Sequence, residues 1–212
     1  MMKKRRLISF AVGILLIFLL TIPAFAVTSV SVWYSDEDNV RYNPYDGSYY
    51  IYNLSSSSSF STSLQAAITR ANSQWSSVLP ISISETSFNY AINYIYGGTY
   101  SQLKDSFPDL KTSNTGLTYT YPQENDETIV YYNSSRKKVY PLKTGGKMCV
   151  VEKNGRTTAG YKNTAIHEMG HLFGWKGHSS NSSDVMYSYA TEITSLTTRD
   201  KTHLKQIYTL FY

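Results

Sequence analysis

The sequence predicts an α+β fold, and three observations support this class. Residues 63–79 carry apolar side chains at helical spacing. Residues 116–122 and 127–135 are rich in tyrosine, threonine and other residues that favour strands. The segment from residue 197 onward again has the spacing of a helix. The 212 residues suit one domain of ordinary size, so these elements are expected to share a core.

The first 26 residues have the composition of a secretory signal peptide. Four basic residues at 3–6 precede an apolar run over 7–22, and an Ala-x-Ala triplet ends at Ala26. An uncleaved membrane anchor is the alternative, but the run is shorter than the roughly 20 residues that span a bilayer. We therefore expect cleavage after Ala26 and secretion, without stable membrane association of the mature chain.

The net charge does not indicate a nucleic-acid partner. The chain has 20 basic and 15 acidic residues, which gives a formal charge of +5. Four of the basic residues lie in the predicted leader, which contains no acidic residue, so the mature chain is near +1. The basic balance is therefore a feature of targeting, whereas nucleic-acid binding domains carry their positive charge on a binding face.

Two stretches precede the first predicted helix. Residues 27–53 are polar and rich in tyrosine, and they suit either an N-terminal strand region or a short propeptide. Residues 54–63 form a serine-rich run that predicts a loop. The helix of 63–79 ends before Pro80, and its apolar face consists of Leu64, Ala67, Ile68, Ala71 and Trp75.

Strand-like patterns fill the middle of the chain. Residues 88–98 alternate and end in a glycine turn, while 116–122 and 127–135 are predicted to be two strands joined by a polar turn. A hairpin is expected around residues 145–146. Cys149 is the only cysteine, and its apolar surroundings predict a buried free thiol, with a thiolate ligand or an intermolecular bridge as alternatives.

Two more helices are predicted in the last third of the chain. An apolar run from about Thr164 to Phe173 carries two histidines, and Asn163 is its expected N-cap. Thr198 is the expected N-cap of the last helix, whose apolar side consists of Leu204, Ile207, Leu210 and Phe211.

The first of these helices carries the residues with the clearest chemistry. His167 and His171 are four residues apart, so both imidazoles lie on one face and can bind one metal ion. Glu168 is placed to reach a metal-bound water without binding the metal itself. Zinc lowers the pKa of such a water toward 7 and polarises a substrate carbonyl group. The pattern predicts a hydrolytic zinc site, although His-Glu-x-x-His also occurs with histidines that serve as core or surface residues.

The stretch from His167 to Tyr187 resembles the metzincin metallopeptidases, most closely their matrixin branch. That family has the motif His-Glu-x-x-His-x-x-Gly-x-x-His, followed by a methionine turn. His167, Glu168, His171 and Gly174 match it position by position. Three protein ligands and one open position are typical of catalytic zinc sites, so a third ligand is expected soon after Gly174.

The third ligand requires a departure from the family motif. The family's third histidine would fall at Gly177, which has no side chain that binds zinc, and His178 follows it. Met186 matches the methionine turn, and its distance from His178 along the chain is similar to that in matrixins. One residue is thus added between Gly174 and His178. Because a longer loop costs little closure entropy, we expect His178 to bind zinc.

Three other residues have side chains that can bind zinc. Asp184 is the main alternative to His178, since carboxylates bind zinc. Glu192 would be a ligand in the branch of zinc peptidases with a distant glutamate, but its surroundings do not suggest a ligand helix. His203 is expected to be a solvated surface residue. Calcium is possible, but no EF-hand loop indicates it.

The resemblance implies a zincin fold over residues 59–212, the expected catalytic domain, with 27–58 as an N-terminal segment or short propeptide. Such a fold has a twisted, mainly parallel sheet with an antiparallel edge strand, an active-site helix, a methionine turn and a C-terminal helix. A substrate peptide would pair with the edge strand through main-chain hydrogen bonds. The residues that match this strand are Leu117, Thr118, Tyr119, Thr120 and Tyr121.

The leading hypothesis is a secreted zinc endopeptidase that acts on proteins or peptides. One catalytic zinc ion would be held by His167, His171 and His178, and Glu168 would be the general base. One alternative is a zinc-binding surface or matrix-binding protein of the same fold without physiological proteolysis. Another is a hydrolase of a non-peptide bond. The intact Glu168 argues against a merely structural zinc site.

Overall fold

A computed structural model describes residues 47–120, 131–132, 138–139, 145–175 and 177–209. The helices are α1 (Ser58–Ser76), α2 (Tyr100–Leu103), α3 (Thr158–Leu172) and α4 (Thr198–Thr209). The strands are β1 (Tyr49–Asn53), β2 (Asn93–Gly98), β3 (Gly116–Thr120), β4 (Tyr131–Tyr132), β5 (Lys138–Val139) and β6 (Gly146–Val151). The predicted leader of 1–26 lies outside the described residues. None of the helices in the described ranges has both the length and the apolar character needed to cross a membrane.

Four strands form the central sheet, in the order β1-β2-β6-β3. β1, β2 and β6 run parallel, so that Ile95 of β2 lies between Ile51 and Met148. β3 runs antiparallel to β6 and occupies one edge of the sheet. The predicted α+β class, with a mainly parallel sheet and an antiparallel edge strand, is therefore confirmed.

The two faces of the sheet are covered by different parts of the chain. On one face, α1 and α3 pack over the sheet around the fully buried Trp75, Met148 and Met169. On the other face, α2 and the loop after it form a smaller cluster, which consists of Leu103, Phe107, Leu110, Cys149 and Val151. The strand periodicity of two sends Cys149 to this second face, while its neighbour Met148 points to the first.

Cys149 is a buried free thiol, as predicted. Burial raises the pKa of its thiol well above the ordinary value, and the nearby Glu168 carboxylate adds to the effect. Since the thiolate is the form that binds metals, a thiol held protonated in this way is a poor zinc ligand.

α1 begins earlier than its apolar pattern predicts. The hydroxyl of Ser57 accepts a hydrogen bond from the backbone N–H of Phe60 at 3.2 Å and so caps the helix. The serine-rich run of 54–63 is therefore a loop only in its first part. Phe60 is buried against Tyr161 of α3, with ring centroids 5.3 Å apart. The burial of Phe60 against Tyr161 stabilises the helical conformation of this otherwise polar stretch.

α3 also begins before its predicted start. Thr157 is the N-cap, and its hydroxyl accepts a hydrogen bond from the N–H of Gly160 at 3.0 Å. Asn163, the predicted cap, lies buried within the helix instead. Its side chain donates to the carbonyl of Ile193 and accepts from the N–H of Thr191. The cap prediction is wrong because Asn163 forms tertiary hydrogen bonds where a cap would form local ones.

The last helix is capped one residue earlier than predicted. The hydroxyl of Thr197 accepts a hydrogen bond from the N–H of Asp200 at 3.1 Å, and the Asp200 carboxylate accepts one from the N–H of Thr197. This reciprocal pair is a capping box, so Thr198 is the first helical residue. Leu204 is fully buried. The side chains of the other predicted apolar residues of this helix lie outside the described part of the chain.

The strand predictions are partly correct. The range 88–98 contains a 3₁₀ turn at Phe88–Tyr90 before β2 begins, and β3 lies within 116–122. Of the strand predicted at 127–135, β4 is described, and it pairs with β5. The hairpin expected around residues 145–146 is wrong, because β6 already has β2 on one side and β3 on the other.

Candidate metal centre

Two histidines of α3 point into the same space. His167 and His171 are one helical turn apart, and their Nε2 atoms lie 3.1 Å from each other. Their ring centroids are 4.7 Å apart, and the ring planes are nearly perpendicular. The spacing of four residues on one helix thus brings the two imidazoles together.

His178 reaches the same space from the loop that follows α3. The chain turns at Gly174 and Gly177, whose φ angles of 107° and 72° fall in a region that favours glycine. The ring centroid of His178 lies 5.1 Å from that of His167 and 5.0 Å from that of His171. One nitrogen of each ring lies within 4.8 Å of the other two. The loop therefore accommodates the residue added between Gly174 and His178.

Backbone carbonyl groups fix the orientation of two of these rings. The Nδ1 atom of His167 lies 2.9 Å from the carbonyl oxygen of Val185, and that of His171 lies 2.8 Å from the carbonyl oxygen of Trp175. A carbonyl oxygen only accepts, so each Nδ1 carries a proton and each Nε2 presents a lone pair. The two Nε2 lone pairs repel unless a cation lies between them. Two Zn–N bonds of roughly 2.0–2.1 Å at a tetrahedral angle separate their nitrogens by about 3.3 Å, so this donor set fits a zinc ion.

Burial of His167 and His171 and partial desolvation of His178 favour the neutral imidazoles. Burial lowers the pKa of His167 to about 4, and His178 adds to this effect. Burial also lowers the pKa of His171 well below its ordinary value, and it lowers the pKa of His178. Metal ions bind the neutral form of imidazole. All three rings are therefore in the metal-binding form at neutral pH.

Glu168 lies beside His167 on α3, and only 7% of it is exposed. Burial raises the pKa of its carboxyl group to about 7, while a hydrogen bond from Thr118 acts in the opposite direction. A carboxyl group with a pKa near neutrality can both take up and release a proton. A cation held by the histidines would favour its ionised form.

Met186 packs against α3 at Gly170. A Cβ atom at Gly170 would lie 2.6 Å from the Sδ atom of Met186 and 2.9 Å from the Cζ2 atom of Trp75. α3, Met186 and Trp75 thus pack so closely at position 170 that only glycine fits there. Val185, the residue before Met186, supplies the carbonyl that orients His167. This segment therefore links the histidine cluster to the hydrophobic core.

Gly170→Ala is expected to destabilise the protein by about 1–3 kcal/mol, because the added methyl group overlaps buried side chains. The side chain of Met186 is flexible, but the ring of Trp75 is rigid and fully buried. Thermal unfolding followed by circular dichroism measures the effect. Gly160→Ala in the same helix is the matched control, since the atoms nearest to a Cβ there belong to the flexible side chain of Arg156, at 3.2 Å and beyond. Equal melting temperatures of the two variants would contradict the packing argument.

Asp184, the alternative third ligand, is engaged in other interactions. Its buried carboxylate accepts hydrogen bonds from Ser179 at 2.5 Å and Thr197 at 2.7 Å, and it forms an ion pair with Arg199 at 2.5 Å. Although burial opposes it, these partners hold the pKa of Asp184 below its ordinary value. The carboxylate therefore ties the loop after His178 to the start of α4.

Glu192 and His203 also have other partners. The Glu192 carboxylate accepts a hydrogen bond from the hydroxyl of Thr157 at the start of α3. His203 stacks on Trp175 with ring centroids 4.0 Å apart, and burial lowers its pKa. The expectation that His203 is solvated is wrong, because α4 packs the His203 ring against Trp175 in the loop that follows α3.

Asp200 is a residue that the sequence patterns do not single out. Besides capping α4, its carboxylate accepts hydrogen bonds from the N–H groups of Val185 at 3.1 Å and Met186 at 3.4 Å. The first turn of α4 thus holds the segment that carries Met186. The spacing of Thr197 and Asp200 is a signal for a helix cap, but no pattern in the sequence signals the contact with Met186.

A cleft of about 580 Å³ opens beside the histidines. Its walls are β3 with the loop before it, the side of α3 that carries the histidines, and the segment after Met186. Leu117 and Thr118 of the predicted substrate strand line it, whereas the ring of Tyr119 stacks on Phe107 on the opposite face of the sheet. Tyr121 lies outside the described residues. The remaining lining residues are Ser113, Asn114, Thr115, Gly116, Asn163, Thr164, His167, Glu168, His171, Gly177, His178, Tyr187, Ser188, Tyr189 and Ala190.

Comparison with known proteins places this arrangement in a family. No curated protein matches the chain. The family model described as Matrixin matches residues 41–209, a range that contains every helix and strand described above. Because the match covers most of the 212 residues, the chain belongs to the matrixin family of the metzincin metallopeptidases.

Proposed function

We propose that this protein is a secreted zinc endopeptidase in which His167, His171 and His178 bind one zinc ion and Glu168 is the general base. The observation that carries this proposal is the convergence of three imidazoles, with ring nitrogens within 4.8 Å of one another, in a cleft that also contains the buried Glu168. A structural zinc site does not need a carboxyl group that is costly to bury. A peptidase does, so the catalytic role is favoured over a binding module.

The residues of the cleft have separate roles in the proposed hydrolysis of a peptide bond. Bound zinc would supply a Lewis acid that lowers the pKa of a water molecule and polarises the scissile carbonyl group. His167, His171 and His178 hold that ion as neutral donors. Glu168 accepts a proton from the attacking water and delivers it to the leaving amine nitrogen. The same carboxyl group can serve both steps, because the proton that it takes up in the first step is the one that it releases in the second.

The edge strand β3 supplies a binding surface for an extended substrate. Among the described strands, β3 pairs with β6 and lies at the edge of the sheet, the position at which an extended peptide can add as a further strand. Leu117 and Thr118 border the cleft at this edge. We assign substrate binding to Leu117–Tyr121 through main-chain hydrogen bonds, a mode that tolerates many side-chain sequences.

Removal of zinc provides the direct test of this function. The purified protein is expected to cleave casein or an internally quenched peptide, to lose at least about 90% of that activity in 1,10-phenanthroline, and to regain it when zinc is added back. Hydrolysis of an ester with no hydrolysis of any peptide would instead favour a different bond as substrate. Peptide hydrolysis that persists after the bound zinc has been removed would contradict the proposal.

Secretion and the domain limits form a second part of the proposal. The basic, apolar and Ala-x-Ala segments of residues 1–26 support export with cleavage after Ala26. β1 lies within residues 27–58 and pairs with β2, which supports a mature domain that begins before Tyr49. N-terminal sequencing of protein recovered from the culture medium should give Val27, or a residue between it and Tyr49 if a propeptide is removed. A start beyond Asn53 would contradict this assignment.

A further inference from the structure

The edge strand β3 packs directly on the side chain of Glu168. Its first residue, Gly116, has no side chain, and a Cβ atom there would lie 2.6 Å from Cγ and 2.7 Å from Oε1 of Glu168. The carboxyl group thus occupies space that any other residue at 116 would fill. β3 therefore shapes the position of Glu168 as well as bordering the cleft.

Thr118, two residues further along β3, holds the other carboxyl oxygen. Its Oγ1 atom lies 2.7 Å from Oε2 of Glu168 and 3.0 Å from the backbone carbonyl oxygen of the same residue. The hydroxyl has one proton, and a hydrogen bond to a carboxylate is stronger than one to a neutral carbonyl. Thr118 therefore donates to Oε2 when Glu168 is ionised. Among the described residues, no other side chain forms a hydrogen bond to this carboxyl group.

We propose that Thr118 is a positioning residue for Glu168, whose carboxylate it orients through the Oγ1–Oε2 hydrogen bond; this inference rests on the proposed role of Glu168 as general base. A glutamate side chain has three rotatable bonds, and its base function requires one orientation toward the reacting water. Gly116 removes steric hindrance, and Thr118 selects the orientation. The side chain of Thr118 thus has a role separate from the main-chain contacts of β3 with substrate.

The substitution that isolates this role is Thr118→Val, which keeps the side-chain shape and removes the donor. We expect kcat on a peptide substrate to fall by about 10- to 100-fold, since general bases contribute 10²–10⁴-fold and only orientation is lost. KM is expected to stay within about twofold, because the main chain of β3 is unchanged. Zinc content and melting temperature are measured on the same preparation to establish that the variant is folded and loaded.

Thr118→Ser is the matched variant, because it keeps the hydroxyl and loses only a methyl group. It is expected to recover most of the kcat lost in Thr118→Val. Equal loss in the two variants, or a rise in KM with kcat unchanged in Thr118→Val, would overturn the positioning role. Wild-type kcat in Thr118→Val would overturn it as well.

A second test asks whether Thr118 acts through Glu168. On a Glu168→Gln background, Thr118→Val is expected to cause no further loss of the residual activity, because the group it positions no longer acts as a base. An additional loss of 10-fold or more, on the order of that in the single variant, would overturn the inference. Failure of the proposed function has a different signature: full activity of Glu168→Gln itself, or no peptidase activity in the wild type.

Discussion

Glu168→Gln is expected to lower kcat for peptide hydrolysis by about 10²- to 10⁴-fold, the range that a general base contributes. The amide cannot accept a proton from the attacking water, while its shape and its hydrogen bond from Thr118 are retained. Zinc should remain bound, since Glu168 does not belong to the group of converging ligand nitrogens in the described chain. Single-turnover kinetics with zinc content measured on the same sample separates loss of the base from loss of the metal.

A matched control for this substitution is Glu85→Gln, an exposed glutamate that does not line the cleft. It makes the same change of charge and should leave kcat and zinc content at the wild-type values. Activity of Glu168→Gln within about threefold of the wild type would sink the proposed mechanism, given the size of the base contribution. Loss of zinc together with activity would assign Glu168 a part in metal binding.

The helices could be predicted from the sequence only where the signal is local. The five apolar residues predicted for α1 lie on one face at helical spacing, and all five are buried. Such a pattern needs no tertiary information. The sequence pattern places the starts of α1 and α3 too late. The two helices begin in polar stretches capped by Ser57 and Thr157. These stretches are helical because of a distant contact, that of Phe60 with Tyr161.

Strand pairing lies beyond what periodicity can supply. Alternation predicts that residues of β2 and β3 form strands, but it does not predict which strands are neighbours. The prediction of a hairpin around residues 145–146 is wrong for this reason. β6 pairs instead with two strands that are distant in the chain. The sheet arrangement was predicted correctly through the resemblance to matrixins, which carries tertiary information that composition and spacing lack.

The candidate site shows the same division between local and distant signals. His167, Glu168 and His171 lie on one helix, so their spacing alone suggests shared chemistry. Whether His178 joins them depends on the backbone path through positive φ angles, which a sequence permits but does not specify. Thr118 is 50 residues from Glu168 along the chain. A threonine in a strand pattern has no feature that predicts such a contact.

His178→Ala is expected to weaken zinc binding by more than about 100-fold. Even the outer-shell partners of metal ligands are worth 10- to 100-fold in affinity, so loss of one of three proposed ligands should cost at least as much. The His178 side chain is exposed, and its removal leaves the core intact. Competition with a chromogenic chelator gives the affinity, and the melting temperature of the zinc-free protein should stay near that of the zinc-free wild type.

Two substitutions make the zinc result specific to His178. His203→Gln removes the one histidine outside the cluster, and it should retain full zinc affinity because His203 does not belong to the converging ring nitrogens. Asp184→Asn tests the alternative ligand; it should lower stability through the loss of the Arg199 ion pair while zinc binding persists below the melting temperature. Full zinc affinity in His178→Ala together with zinc loss in Asp184→Asn would move the third ligand to Asp184. Zinc loss confined to His178→Ala would show that His178 is the third ligand, and that the residue added between Gly174 and His178 does not prevent zinc binding.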